Sequence, residues 1–219
     1  MRRATRLLVA WTLAALVACS GGDDAPPITQ RFPTAADAPG SKPDPDEKRQ
    51  LPEDLDEFIL AFTDALVDPD QAEMRSVFQE AGFVRAGLDV RFFGETHAPP
   101  ATPHLFSWFI ELESDDGAAS VLDWVEADSM KPCPHSCATR VTAFAVDGIP
   151  DARGVHRVAT PEDIEAAGTE DEHPFESYWL GFTAGSIVYT VDLMGPPGSV
   201  SEEQAQRIVS AFHDRLTGD

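Results

Sequence analysis

The chain has 219 residues, 42% of them hydrophobic, and its 16 Lys and Arg stand against 38 Asp and Glu for a formal charge of −22. So acidic a body repels phosphate backbones and anionic headgroups, which excludes nucleic acid as a partner, and the hydrophobic share excludes wholesale disorder. The length suits one domain.

In chain order, the first feature is an address. Arg2, Arg3 and Arg6 precede an uncharged apolar run from Leu7 to Val17. That run is too short for a bilayer-spanning helix, which takes about 20 residues, and has the length of a signal-peptide core. Leu16-Val17-Ala18-Cys19 then resembles the bacterial lipobox. The resemblance implies a signal peptide over 1–18, diacylglyceryl transfer to the Cys19 thiol, cleavage before it and acylation of the new N-terminus. Several acyl chains hold a protein stably on the cell membrane where one does not. Cleavage also removes three Arg and no acid, so the mature chain is more acidic still. Residues 19–50 carry six Pro, three Gly and six acids, with almost no aliphatic side chain beyond Ile28. This composition reads as a disordered tether with an r.m.s. span of roughly 30 Å, leaving 51–219 as a single extracytoplasmic domain.

Within that domain Leu55, Phe58, Ile59, Phe62 and Leu66 recur at helical spacing behind the acids Glu53 and Asp54. Asp68-Pro69-Asp70 ends this helix, and a second carries Met74, Val77, Phe78 and Ala81 up to Gly82. Period-two alternation follows in Val84, Ala86, Leu88, Val90 and Phe92 and predicts a strand. After a Pro-rich loop, residues 105–113 predict another, and the turn Ser114-Asp115-Asp116-Gly117 supplies N-caps for a helix with Ala118, Val121, Leu122 and Val125 on its apolar side. Strands are expected over 139–146 and 155–158, then an acidic loop over 160–174 with one helical turn. A hairpin over 177–183 and 187–194 turns at Ala184-Gly185-Ser186. Ser201 and Gln204 form a capping-box pattern ahead of a last helix bearing Ile208, Val209, Phe212 and Leu216. The expected fold is α+β, an antiparallel sheet of four to six strands with helices packed on it.

Candidate chemistry is sparse. With Cys19 acylated, Cys133 and Cys137 remain, and an extracytoplasmic setting suggests a disulfide between them. Pro132 and Pro134 exclude a helix interior there, and closing so short a loop is worth at most about 2 kcal/mol. A redox switch is the alternative; three intervening residues, where the common redox motif has two, favour a plain staple. Cys133, His135 and Cys137 are too crowded for a zinc site without a fourth ligand nearby. The remaining histidines, His97, His104, His156, His173 and His213, fall in no metalloprotease pattern, and no phosphate-binding or nucleophile-elbow motif occurs. The acids at 115–116 and 170–172 lack calcium-loop spacing and read as solvated charge. No catalytic residue, metal or cofactor is therefore expected.

Strands 105–113 and 177–183 are apolar on both faces. Trp108, Phe109, Tyr178 and Trp179 are thus candidates to line a cleft for a hydrophobic ligand, although core is the usual fate of large aromatics in strands. The segments 81–85, 148–154, 181–189 and 195–198, with Arg215-Leu216, resemble uncharacterised secreted lipoproteins of actinobacteria. The element order is similar to PsbP-like lipoprotein domains, an analogy of fold that implies lipid carriage or envelope assembly and carries over no site residue.

The functional expectation is a membrane-anchored, extracytoplasmic, non-catalytic binding or envelope-accessory module for a hydrophobic small molecule or an envelope protein. The alternative is a structural or protein-interaction lipoprotein without a small ligand, and the third is an enzyme. A lined apolar pocket marks the first and a solid core with an exposed apolar patch the second. A polar cleft holding two or more His with perturbed carboxylates marks the third.

Overall fold

The period-two segments pair side by side in one antiparallel sheet. A computed structural model describes residues 26–46, 49–63, 70–95, 97, 101–131, 140–167 and 173–218. In chain order the elements are β1 (Ser41–Pro43), α1 (Leu55–Thr63), α2 (Gln71–Glu80), β2 (Phe83–Phe93), β3 (His104–Leu112) and α3 (Asp115–Ser129). They continue with β4 (Arg140–Phe144), β5 (Arg153–Ala159), α4 (Pro161–Ala167), β6 (Phe175–Ala184), β7 (Ile187–Gly195) and α5 (Glu202–Thr217). The strand order is β1-β2-β3-β7-β6-β5-β4. The sheet thus has seven strands where four to six were expected, and α4 is a helix where one turn was expected. The additional strand, Ser41-Lys42-Pro43, has no apolar alternation to announce it; it is held by backbone pairing to residues 91–93 of β2.

Local chemistry sets the helix ends. The Asp70 carboxylate accepts from the Ala72 and Glu73 amides at 2.8 and 3.1 Å. Ser114 and Ser201 accept from Gly117 and Gln204. Gly218 closes α5 in the left-handed conformation at φ 78°.

Alternation along the strands gives the sheet two buried faces. On one, Ala86, Leu88, Trp108, Ile110, Trp179 and Val188 meet Phe58, Phe62, Phe78, Val121 and Val125 from α1, α2 and α3. On the other, Leu105, Phe109, Leu180, Tyr189 and Val191 meet Ile208, Val209 and Phe212 from α5.

Part of the second face is covered by the segment that composition assigned to the tether, and the boundary at residue 51 is corrected accordingly. Phe32 is 1% exposed, its ring 5.2 Å from that of Phe109. Gly87 makes room for this pair, since a Cβ there would stand 2.5 Å from Phe109 and 2.7 Å from Phe32. Arg31 reaches the Glu111 carboxylate at 2.5 Å. Arg215 of α5 grips Asp37 at 3.0 and 3.1 Å and donates to the Gln30 and Phe32 carbonyls at 2.8 Å each. Residues 26–46 are therefore part of the folded domain. An average over composition misses them because specific contacts of a few residues, the Phe32 ring and the ion pairs of Arg31 and Asp37 among them, do the anchoring.

Glu111 ties this strap to the sheet in a way that can be titrated. Burial pushes its carboxyl up, but hydrogen bonds and charge from Arg85 and Arg31 more than offset this, and the group lies below its ordinary value. A depressed folded-state value gives stability that is present above the unfolded value, about 4.3, and is lost as pH falls through the folded one. Urea midpoints taken from about pH 5 downward are expected to fall less steeply in Glu111→Gln than in the wild type. Parallel curves would remove Glu111 from the acid response.

Candidate functional site

The first sheet face continues beyond the residues packed under α1 to α3, and there its side chains line an opening. Pairing of β1 with β2 carries the chain to Asp44, whose amide donates to the Val90 carbonyl at 3.0 Å. The Asp44 side chain is 2% exposed. One carboxylate oxygen, Oδ1, accepts from the Asp46 amide at 2.8 Å, which turns Oδ2 inward. His104 opens β3 in register with Phe92 and Met194 on the neighbouring strands. His97 lies in the connection between β2 and β3, its ring 5.2 Å from Phe92 and 5.4 Å from His104.

These three side chains converge. His97 Nε2 is 2.8 Å from Asp44 Oδ2, His104 Nε2 is 3.4 Å from the same oxygen, and the two Nε2 atoms are 3.3 Å apart. On its far side His97 Nδ1 meets the Asp46 carboxylate at 3.1 Å. Burial lowers the His104 pKa, outweighing a hydrogen bond to the Thr102 backbone and the charge of Asp44.

The cluster forms part of the wall of a pocket of about 450 Å³. Val90, Phe106, Phe175 and Met194 give it apolar sides, and His173 stands at the same opening. The volume falls within the range of small-molecule sites, roughly 300–1,000 Å³. On the same face of the sheet, Arg157 pairs with Asp192 and donates to Ser177 at 3.1 Å.

The four aromatics proposed from sequence do not line this pocket. They are 0–7% exposed, and Trp108 and Trp179 belong to the core under α1 to α3 while Phe109 and Tyr178 belong to the core of the opposite face. The cleft assigned to them is corrected to core, because alternate residues of a strand point to opposite sides of a sheet. Tyr178 stacks on His156 at 4.4 Å and donates to Glu176 at 2.8 Å. Burial, with the Glu176 charge beside it, pushes its phenol up to about 12. Glu176 also accepts from the Gly198 amide at 2.8 Å and contacts His156 at 2.9 Å, so this second polar cluster fastens β5, β6 and the loop before α5. Cys19, Cys133, His135 and Cys137 lie outside the described residues.

Sequence reasoning named His97 and His104 but assigned them no role, and it placed Asp44 in a tether. The six residues between the two histidines and the remote carboxylate match no local ligand spacing. The only signal was two His flanking a Pro-rich connection between two strands of clear period-two alternation.

Fold and site together define an α+β domain with a histidine-lined pocket beside an N-terminal strap. No family model matches the chain, and no curated protein matches it. Among solved structures, the extracellular domain of PknH from Mycobacterium tuberculosis is similar to it with a TM-score of 0.53, over 87% of this chain and 94% of that one, at 13% identity. At that identity the likeness is one of fold.

Proposed function

We propose that the chain is a lipid-anchored, extracytoplasmic binding module, not an enzyme, that takes a small ligand into the pocket on the first sheet face. The observation that carries the proposal is the pocket itself, about 450 Å³ on a face that is elsewhere filled by buried side chains. A ligand with an apolar body would lie against Val90, Phe106, Phe175 and Met194 and turn a polar group toward Asp44, His97 and His104. The resemblance of Leu16-Val17-Ala18-Cys19 to a lipobox supports the anchor, and the fold shared with the extracellular domain of PknH suits a place outside the membrane. With Cys19 acylated, only residues 20–25 separate the anchor from Pro26. Their reach is at most about 25 Å, so the domain would sit close to the bilayer.

A bulky side chain at the mouth tests the reading. Met194→Trp is expected to weaken uptake of the neutral fluorescent probe N-phenyl-1-naphthylamine at least about tenfold, a loss of roughly 1.4 kcal/mol, while the melting temperature stays near that of the wild type. Equal uptake by both proteins would refute the assignment. A structural or protein-interaction lipoprotein would take up no probe in either form.

A further inference from the structure

Asp44 Oδ2, His97 Nε2 and His104 Nε2 face one another at 2.8, 3.3 and 3.4 Å, near enough for all three to bind a single cation. Each imidazole is also held from its outer side, His97 Nδ1 by the Asp46 carboxylate at 3.1 Å and the His104 ring by the Thr102 backbone, and such contacts orient ligating imidazoles.

The distances suit such a cation. A tetrahedral zinc ion with bonds of about 2.0–2.1 Å separates its ligand atoms by about 3.3 Å, and an octahedral ion of the same size by about 3.0 Å. The donor set, two imidazoles and a carboxylate, is that of borderline first-row divalent metals. The outer contacts are those usual for metal-bound imidazoles, a carboxylate behind one and a backbone group behind the other, with the Asp46 amide fixing the remaining oxygen of Asp44.

We propose that Asp44 Oδ2, His97 Nε2 and His104 Nε2 form a three-ligand site for a divalent transition metal, Zn²⁺ in the first instance. Three protein ligands leave a coordination position open, which the four-ligand structural zinc sites do not. The site borders the pocket, so the metal supplies the polar anchor for the ligand's donor group. That last role rests on the pocket reading; metal binding itself does not.

The test is equilibrium dialysis of the full chain, stripped with a chelator, against Zn²⁺ alone. About one ion per chain is expected. His97→Ala and His104→Ala should each lower affinity at least about a hundredfold, and Asp46→Asn about ten- to a hundredfold. Asp46 is exposed, so its variant reads the contact behind His97 in a chain whose fold is not at issue. Cys133→Ser with Cys137→Ser should bind as the wild type does. With Co²⁺ in place of Zn²⁺, visible ligand-field bands should appear without the near-ultraviolet thiolate charge-transfer band that cysteine ligands give. Absence of stoichiometric binding, unchanged affinity in the histidine variants, or binding that follows the cysteines would each overturn the site. Zinc binding without probe uptake would uphold the metal site and overturn the pocket reading; probe uptake without zinc binding would do the reverse.

Discussion

Phe32→Ala is expected to destabilise the domain by about 3–5 kcal/mol, read as a lower urea midpoint at an unchanged slope. Domains of ordinary stability hold about 5–15 kcal/mol in total, so the loss is a large fraction of the whole. The side chain is 1% exposed and fills the space between Phe109 and Gly87, with the Arg49 guanidinium 4.4 Å from its ring. Truncation leaves a cavity that the neighbouring backbone, tied by Arg215 to the Gln30 and Phe32 carbonyls, is poorly placed to close. A residue in a solvated tether would shift stability by no more than about 0.5 kcal/mol. A small effect would therefore return residues 26–46 to the tether and detach Asp44 from the site it helps to build.

Trp108→Ala is expected to cost a similar amount, about 3–5 kcal/mol. Its ring meets Phe62 edge-on at 4.9 Å and Phe58 at 6.0 Å, so the substitution removes the wedge on which α1 rests. In a ligand site the same change would weaken uptake and leave stability almost untouched. The two outcomes separate core from cleft, and probe affinity measured well below the melting temperature should stay within about twofold of the wild type, under 0.5 kcal/mol. A stable Trp108→Ala protein that no longer takes up the probe would restore the strand aromatics as the ligand site.

Elements with a strong period were legible in the sequence. Ala86, Leu88 and Val90 announce β2, and Ala205, Ile208, Val209 and Phe212 announce the buried side of α5. Ser201 caps α5 as its capping-box pattern predicts, and of the turn at 114–117 it is Ser114 that caps α3. What escaped has no period. Ser41-Lys42-Pro43 joins the sheet through its backbone, and Arg31, Phe32 and Asp37 find partners 70 or more residues away in Phe109, Glu111 and Arg215.

The site was hidden for the same reason. Asp44 meets His97 and His104 only after β1 has paired with the edge of β2 and the following connection has returned to β3. The aromatic cleft failed on simpler geometry: Trp108 and Phe109 are neighbours in sequence and cannot share a face of a sheet.

The central claim is that the pocket beside Asp44, His97 and His104 holds a ligand, and native mass spectrometry of the full chain purified from its own host tests it most directly. The wild type is expected to carry a non-covalent small-molecule adduct distinct in mass from a metal ion, and Met194→Trp, prepared in parallel, to lack it. Repeated wild-type preparations without an adduct, or an adduct that persists in Met194→Trp, would contradict the account.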